Sequence, residues 1–301
     1  MVNVGWIGLG AMGAPMAGVL ARAGHQMAAY DVNAAAATAL AGDGVVAAQT
    51  VADTTREADV LGIMVATAPQ AEEVLFGEGG AAAVLREGAV VLVMCTVGPK
   101  PVEEWAERLG ESGVLVVDAP VSGGVARAAA GDLLMMVSGP AAALATARPL
   151  LEALSRTSPV VGPRPGEGQK VKLVNQLLCG VHIGVAAEAL AFAESLGLAA
   201  GSTWEVLRHG AAASFMLEDR GARMIDNPSG QVHSALDIFV KDMGLVLDAA
   251  RDSDFTAPLA TTAAQLYGAG RRAGLGRADD SSVIEVLRGQ ADVRPGGPTA
   301  T

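Results

Sequence analysis

The sequence predicts an α/β fold in two parts, a doubly wound parallel sheet over residues 1–163 followed by an all-helical domain. First, short apolar runs typical of strands alternate with helical runs up to Gly162, which is the pattern of a parallel sheet with helices on both faces. Second, the breaker-rich segment Pro163–Gly168 ends this alternation. Third, an apolar helical run from Gln169 to Leu196 has the length of a helix that bridges domains or forms an oligomer interface.

The elements follow from local patterns of apolar residues bounded by turn residues. Strands are predicted at Val4–Ile7, Met27–Tyr30, Val45–Ala47, Val60–Val65, Ala89–Met94, Val114–Asp118, Leu133–Ser138 and Val160–Val161. The clearest helices between them are Ala14–Ala23, Thr38–Ala41, Gln70–Phe76, Val102–Leu109 and Ala141–Leu154. Shorter helices are predicted after the long one at Ser202–His209, Phe215–Met224, Phe239–Ala250, Leu259–Arg272 and Ser281–Leu287. We expect the helical domain to span residues 164–289 and the Pro- and Gly-rich residues 290–301 to form a disordered tail.

The overall composition restricts the class of protein. A chain of 301 residues that is 51% hydrophobic can bury two sizeable cores, and its net charge of −11 argues against a nucleic-acid binder. The chain starts on a predicted strand, without a basic region and an apolar signal core. The most apolar long stretch, Val171–Ala193, is interrupted by polar residues, so no membrane span is expected. We therefore predict a cytoplasmic protein with neither nucleic acid nor membrane as a partner.

The cysteines and histidines do not predict a disulfide framework or a metal site. Cys95 and Cys179 lie far apart in apolar segments, as expected for reduced cytosolic thiols. The four histidines and two cysteines show no metal-ligand spacing.

A glycine-rich turn follows the first predicted strand and leads into the first helix. Gly8 permits a tight turn, Gly10 leaves room for a pyrophosphate, and Gly13 lets the helix pack closely on the strand. The second strand ends in Asp31, 18 residues after Gly13, where an acid can accept hydrogen bonds from a ribose 2′-OH. Since no Arg follows in Val32-Asn33-Ala34, the motif predicts a Rossmann domain that binds NAD rather than NADP.

Two further stretches are candidates for the chemistry beside a nicotinamide. Lys172, near the start of the long helix, shares a face with Asn175, Gln176 and Cys179, and burial there would suit a lysine that moves a proton. Lys170 lies on a different face and reads as an ordinary solvated lysine. The turn Ser122-Gly123-Gly124 follows a strand, and its backbone amides can bind a carboxylate.

Four stretches in the same order resemble the β-hydroxyacid dehydrogenase family. They are Gly8-Leu-Gly-Ala-Met-Gly-Ala-Pro-Met-Ala17, Asp118-Ala-Pro-Val-Ser-Gly-Gly124, Gly168-Gln-Lys-Val-Lys-Leu-Val-Asn-Gln176 and Lys241-Asp-Met-Gly-Leu245. Together they span nearly the whole chain. The resemblance implies an NAD-binding Rossmann domain and a helical C-terminal domain like that of 6-phosphogluconate dehydrogenase.

The resemblance also implies roles for individual residues. Lys172 takes the place of the catalytic lysine, and the substrate contacts are Ser122, Gly123, Gly124, Asn175 and Gln176. The cofactor contacts, from the resemblance and the strand ends together, are Gly8, Leu9, Gly10, Ala11, Met12, Gly13, Asp31, Val32, Asn33, Val65, Ala66, Thr96 and Lys241. Two positions depart from the family pattern, since Cys95 replaces a serine and Ala66 replaces a proline.

The C-terminal half is similar to the threonate-oxidising members of this family. Three stretches carry this similarity: Gly180-Val-His-Ile183, Ser234-Ala-Leu-Asp-Ile-Phe-Val-Lys-Asp242 and Asp279-Asp-Ser-Ser-Val-Ile284. They imply a four-carbon sugar acid, whose hydroxyls need hydrogen-bonding groups of a kind found in Gln176, Ser214, His233, Asp237 and Arg127. The alternatives are a 3-hydroxyisobutyrate dehydrogenase, a tartronate semialdehyde reductase, and a catalytically silent dinucleotide-binding protein. The retained lysine disfavours an imine reductase, and family analogy implies a homodimer or homotetramer.

Overall fold

The computed structural model describes residues 2–42, 44–226 and 230–289. Its internal contacts divide the chain into two units, residues 1–172 and residues 173–301. The tail predicted for residues 290–301 lies outside the described residues.

The first unit alternates strands and helices, as the sequence predicts. Its strands are β1 Asn3–Ile7, β2 Gln26–Tyr30, β3 Val45–Ala47, β4 Val60–Ile63, β5 Val90–Val93, β6 Leu115–Asp118, β7 Val121–Ser122, β8 Leu133–Met135, β9 Val137–Ser138, β10 Ser155–Thr157 and β11 Val160–Gly162. Its helices are α1 Gly13–Arg22, α2 Ala34–Leu40, α3 Val51–Thr55, α4 Ala68–Phe76, α5 Pro99–Gly110, α6 Gly124–Ala130 and α7 Ala141–Leu154. The boundaries of most predicted elements move by one to four residues.

Eight strands form the main sheet in the order β11-β9-β6-β5-β4-β1-β2-β3. Every pair in it is parallel except β6 with β9. The chain order reverses at β1, which pairs with β2 on one side and with β4 on the other. Ligands of doubly wound sheets bind at such a switch point, beyond the carboxyl ends of the strands.

The run Leu133–Ser138, predicted as one strand, is two strands in different sheets. Its first part, β8, pairs with β7 and β10 in a separate three-stranded sheet, and its second part, β9, joins the main sheet. The break falls at Met136, whose N–H donates to the carbonyl of Pro120 at 3.0 Å. The prediction was wrong here because an uninterrupted apolar run carries no signal for a change of sheet.

The main sheet is buried on both faces, as expected when helices cover both sides. Successive residues of β1 show this, because Trp6 belongs to one core cluster and Ile7 to another. Leu92 and Val93 of β5 divide in the same way. A strand buried on both faces reads as a continuous apolar run, and this is why β1, β4 and β5 could be found from the sequence.

The second unit is built from helices, and no strand is present in its described residues. A long helix, α8 Glu167–Ser195, leads into it from the first unit, and the others are α9 Ala200–Leu207, α10 Phe215–Ile225, α11 Leu236–Asp252, α12 Pro258–Arg272 and α13 Ile284–Leu287. Phe239 of α11 stacks on Tyr267 of α12 with ring centroids 5.4 Å apart. The buried Tyr267 hydroxyl donates to the carbonyl of Gly180 at 2.8 Å, which fixes α12 to the middle of α8.

Helix α8 is also, within the described ranges, the one helix long and apolar enough to cross a membrane. Core helices of water-soluble proteins pass the same test, and 44% of its most apolar window is buried. The polar residues within this helix, noted from the sequence, fit a core helix better than a membrane span.

Candidate functional site

The turn between β1 and α1 requires glycine at two positions. Gly8 has a φ of +97°, and its carbonyl accepts a hydrogen bond from the buried indole of Trp6 at 3.0 Å. Its N–H donates to the carbonyl of Tyr30 at 3.0 Å, which ties the turn to β2. A Cβ at Gly13 would overlap the carbonyl oxygen of Gly8. The backbone therefore reverses in a space that only glycine can occupy.

Gly10, between these two, faces open space. A Cβ built on Gly10 would meet no heavy atom within 4 Å, although the residue sits at the tip of a tightly packed turn. No side chain in the described part of the chain caps the start of α1, and its first turn holds no acid. Helix N-termini of this kind bind phosphate through their N–H groups. The arrangement fits the pyrophosphate of a dinucleotide.

Asp31 lies directly beside this turn. One oxygen of its half-buried carboxylate accepts from the N–H of Leu9 at 2.7 Å, and the other accepts from the N–H of Asn33 at 2.8 Å. Val32, the next residue, is 92% exposed. The acid predicted to bind ribose is thus held rigidly at the carboxyl end of β2, next to an exposed apolar side chain.

The end of β4 adjoins the same turn. A Cβ at Gly8 would lie 3.2 Å from the backbone nitrogen of Val65. The next residue, Ala66, is exposed, and its N–H donates to the Gln70 side chain at 3.0 Å. The structure therefore brings together the residues predicted from the ends of β1, β2 and β4.

The Ser122-Gly123-Gly124 turn links β7 to α6. Gly123 has a φ of +143° and Gly124 a φ of +75°, so the backbone adopts conformations that favour glycine at both. A Cβ at Gly123 would also lie 3.1 Å from Arg127 and from Leu133. Arg127 itself donates to Asp132 at 2.9 Å, so its guanidinium is paired with a carboxylate within the first unit.

The start of helix α8 is capped by the carboxylate of Asp118, the last residue of β6. The first N–H groups of a helix lack acceptors within the helix. Here the N–H groups of Gly166 and Gln169 donate to Oδ2 of Asp118 at 3.0 and 2.9 Å. The N–H of Gly168 donates to Oγ of Ser138 at 2.8 Å. Strand residues therefore cap a helix that follows them by some 30 to 50 positions in the chain.

The Gln169 side chain ties this start of α8 to the loop after β5. Its Oε1 accepts from the N–H groups of Val97 and Gly98 at 3.0 and 3.1 Å. Its Nε2 donates to the carbonyl of Cys95 at 3.0 Å and to Oδ1 of Asp118 at 2.8 Å. The loop so held carries Thr96. Sequence reasoning missed these roles, although an acid ending the apolar strand β6 was a signal available for Asp118.

Lys172 follows one turn after Gln169 and is only 6% exposed. Its neighbour Lys170 is exposed and donates to Glu103 at 2.8 Å. A surface ion pair of this kind contributes little to stability. The two lysines therefore differ in their burial.

In the second unit, two of the predicted site residues, Gln176 and Lys241, meet at a buried carboxylate, and Asn175 contacts Gln176. Asn175 Nδ2 donates to Oε1 of Gln176 at 2.9 Å and lies 3.4 Å from the sulfur of Cys179. The Gln176 amide donates to Oδ2 of Asp242, and Lys241 Nζ donates to Oδ1 of Asp242 at 2.7 Å. Asp242 is therefore a further residue that the sequence reasoning missed.

The residues considered for extra hydroxyl groups have structural partners. Ser214 caps α10 by accepting from the N–H of Leu217 at 3.0 Å. Asp237 accepts from Arg271 at 2.6 Å, and the N–H of His233 donates to Asp279 at 2.8 Å. Within the described residues, no group of three or more His, Cys, Asp or Glu side chains is arranged to hold a metal ion.

Asp118 should make stability depend on pH in an unusual direction. Burial raises the pKa of this carboxyl to about 6 from an ordinary 3.8, against the opposing effect of its hydrogen bonds. Because the folded chain binds this proton more tightly, the carboxyl contributes stability that is fully present below about pH 4 and lost as the pH rises through 6. The total is about 3 kcal/mol.

Urea unfolding of the parent and Asp118→Asn between pH 4 and 7.5 measures this contribution. We expect the stability of the parent relative to the variant to fall by about 2.4 kcal/mol over that range, since a part of the total is already lost at pH 4. A difference that stays constant with pH would show that Asp118 titrates normally.

Comparison with known proteins agrees with this geometry. Residues 3–162 match the model of the NAD-binding domain of 6-phosphogluconate dehydrogenase. Residues 166–287 match the model described as the NAD-binding domain of NADP-dependent 3-hydroxyisobutyrate dehydrogenase.

Individual relatives match over nearly their whole length. The chain is 43% identical to L-threonate dehydrogenase from Cupriavidus necator, covering 95% of this chain and 96% of that one. It is 35% identical to 2-hydroxy-3-oxopropionate reductase from Escherichia coli, covering 95% and 97%. A crystal structure of 3-hydroxyisobutyrate dehydrogenase from Salmonella typhimurium superposes with a TM-score of 0.89 at 38% identity, covering 95% and 100%. The chain therefore belongs to the β-hydroxyacid dehydrogenase family of NAD-binding oxidoreductases.

Proposed function

We propose that this enzyme oxidises a threonate-like four-carbon hydroxy acid with NAD, using Lys172 as the general base. In the reverse direction the same lysine acts as the general acid. The observation that carries this proposal is the burial of Lys172, one turn after a helix start that is fixed to the main sheet. An amine held at a fixed position on the helix and away from bulk solvent can exchange a proton with a bound hydroxyl.

The residues around the β1 turn are proposed to hold the dinucleotide. The amides at the start of α1 would bind the pyrophosphate above Gly10, and Asp31 would accept from the ribose hydroxyls. Val32 and Asn33 would border the adenosine, while Val65, Ala66, Thr96 and Lys241 would line the rest of its path. When bound, NAD supplies the hydride acceptor, and the residues of this chain supply orientation and proton transfer.

The substrate is proposed to bind through its carboxylate and its hydroxyl groups. The amides of Gly123 and Gly124 with the Ser122 hydroxyl form an anion-binding turn. Asn175 and Gln176 each offer amide groups for hydroxyls, and Asp242 fixes the orientation of Gln176. The high identity to a threonate dehydrogenase favours a four-carbon acid over a shorter one. The thiols of Cys95 and Cys179 fit a cytoplasmic enzyme.

NAD reduction should be measured against L-threonate, 3-hydroxyisobutyrate, glycerate and serine in parallel. We expect kcat/KM for threonate to exceed the others by at least about tenfold, because polar groups built for extra hydroxyls reject analogues that lack them. NADH oxidation with tartronate semialdehyde tests the second candidate, a reductase, which the Escherichia coli relative favours. NAD binding without turnover of any of these compounds would indicate a catalytically silent protein.

We also propose that a second copy of this chain packs along α8. The exposed apolar side chains Val171, Leu178, Val185 and Phe192 recur every seventh residue on this helix. Phe192 and Val185 are 62% and 58% exposed. A stripe with this period is self-complementary in helix pairing, which favours a homodimer or homotetramer.

Replacing Val185 by Lys should break this assembly. A charge placed in the centre of an apolar interface is expected to weaken association about 100-fold, an effect typical of a central interface residue. Light scattering after size exclusion would then report a smaller species for Val185→Lys than for the parent. Val46→Lys is the matched control, since Val46 is also well exposed, at 67%, but lies on β3. Equal masses for the parent and Val185→Lys would contradict the proposed interface.

A further inference from the structure

Three fully buried side chains, Asp118, Ser138 and Gln169, form a connected hydrogen-bond network that we term the clasp. Each side chain comes from a different element, namely β6, β9 and α8. The clasp satisfies backbone groups of the loop at residues 95–98 and of the first turn of α8.

We propose that Asp118 and Gln169 are positioning residues for catalysis, which fix Lys172 relative to the loop carrying Thr96 and to the strand that leads to Ser122. This inference rests on the proposed function, because it assigns a task to Lys172. Neither Asp118 nor Gln169 is proposed to touch substrate or cofactor.

The spacing along α8 makes the connection to Lys172 short and stiff. Gln169 precedes Lys172 by three residues, so the two side chains leave neighbouring positions on one helix face. A helix transmits the position of its first turn to the next because each turn is hydrogen-bonded to the one before. If the clasp shifts, Lys172 must shift with it.

The clasp also reaches the two loops that the proposed reaction uses. Gln169 bonds the backbone on both sides of Thr96, at Cys95 and at Val97. Asp118 ends β6, four residues before Ser122. A catalytic group held to about half an ångström needs such support behind it.

The packing leaves little tolerance around these contacts. A Cβ on Gly168 would lie 2.9 Å from Oδ2 of Asp118 and would overlap the carbonyl oxygen of Met136. Gly166, whose N–H also donates to Asp118, has a φ of +96°. Both glycines permit α8 to start directly against the carboxylate. This close approach exceeds what capping a helix needs, since a single nearby serine or aspartate suffices elsewhere.

The direction of each hydrogen bond in the clasp is determined. Oε1 of Gln169 must accept, because it faces two backbone N–H groups, so Nε2 must donate to Asp118. Asp118→Asn places an amide donor against Nε2 of Gln169, or, with the amide turned over, against the N–H groups of Gly166 and Gln169. Gln169→Glu places two carboxylates in contact. The double variant Asp118→Asn/Gln169→Glu reverses the bond, conserves the net charge and restores a donor opposite an acceptor.

This reversal provides the test. We expect kcat for the hydroxy acid to fall about 10- to 100-fold in each single variant, and to return to within about fivefold of the parent in the double variant. The recovery is incomplete because the carbonyl of Cys95 loses its donor. Leu150→Ala is the control, since it opens a cavity in the apolar core of the first unit and removes no hydrogen-bonding group of the clasp. It should lower the Tm at least as much as the single variants while changing kcat less than twofold.

A second readout needs no turnover. The chain has only four lysines, Lys100, Lys170, Lys172 and Lys241, so protein labelled with [ε-13C]lysine gives four resolvable signals. The Lys172→Arg variant identifies the signal of Lys172. We expect this signal to move in each single variant and to return towards its original position in the double variant. The other lysines report whether the change is local.

The outcomes separate the two proposals. If the single variants lower only the Tm, as Leu150→Ala does, or leave the Lys172 signal in place, the clasp is structural and the inference is overturned. If the parent turns over no hydroxy acid while the Lys172 signal follows the clasp, the proposed function fails and the positioning of Lys172 stands. If a single variant does not fold, Ser138→Ala replaces it. A smaller shift of the Lys172 signal supports the inference, and no shift overturns it.

Discussion

Lys172→Ala is expected to lower kcat by about 1000-fold, the middle of the range for losing a general acid or base. NADH should bind with an unchanged Kd, because Lys172 is not among the residues proposed to hold the dinucleotide, and those for the pyrophosphate and ribose lie at the ends of β1 and β2. Steady-state kinetics with threonate measure kcat, and quenching of protein fluorescence by NADH measures the Kd. A fall in kcat with intact binding separates proton transfer from cofactor binding.

Lys170→Ala is the matched control for this experiment. It removes the same group two residues away, from an exposed lysine that pairs with Glu103. Exposed ion pairs contribute about 0–1 kcal/mol, so kcat and Tm should stay close to those of the parent. A Lys172→Ala variant that keeps more than a tenth of the parent activity would contradict the assignment of Lys172 as the base.

A small primary amine adds a positive readout to this loss of activity. Truncation to alanine leaves a space where methylamine can act as the base. Turnover by Lys172→Ala should rise with the concentration of neutral methylamine, and therefore with pH at fixed total amine. Loss of activity through misfolding would give no such dependence.

Local signals in the sequence were sufficient for much of the fold. The β1 turn was predictable because its glycines, its helix and Asp31 all lie within 31 residues, and each has a local conformational reason. The helical second unit was predictable because apolar residues recur with the helical period in α10, α11 and α12. The predicted start of α10 at Phe215 agrees with the structure, where Ser214 caps the helix. Helix α12 begins one residue earlier than predicted, because Pro258 occupies its first position.

The contacts that shape the candidate site are not local. Asp118 and Gln169 are 51 residues apart, and Gln176 and Asp242 are 66 apart. No periodicity links such positions, because each becomes a partner only when the sheet order and the course of α8 bring their elements together. The separate sheet of β7, β8 and β10 was missed for the same reason. Sequence reasoning could name Lys172 as a candidate but could not show what holds it in place.

Gly10→Ala should weaken NADH binding without loss of stability, whereas Gly13→Ala should lower the stability of the fold. Gly10→Ala is expected to fold with the parental Tm, since its new Cβ meets nothing within 4 Å. The methyl group would occupy the space proposed for the pyrophosphate, and we expect the Kd for NADH to rise about 100-fold, or about 2.7 kcal/mol. Gly13→Ala is expected to lose about 3 kcal/mol of stability, because its Cβ overlaps the backbone of Gly8.

Thermal unfolding and NADH titration of both variants, side by side, test this pair. Gly24→Ala is a useful third variant, since Gly24 lies two residues after the end of α1 at a φ of +86° with open space around it. It should cost about 1 kcal/mol through backbone strain and leave NADH binding unchanged. If Gly10→Ala bound NADH as tightly as the parent, the pyrophosphate could not lie against this turn. The open space over Gly10 is meaningful because the other two glycines of the turn, Gly8 and Gly13, are packed too tightly to accept even a methyl group.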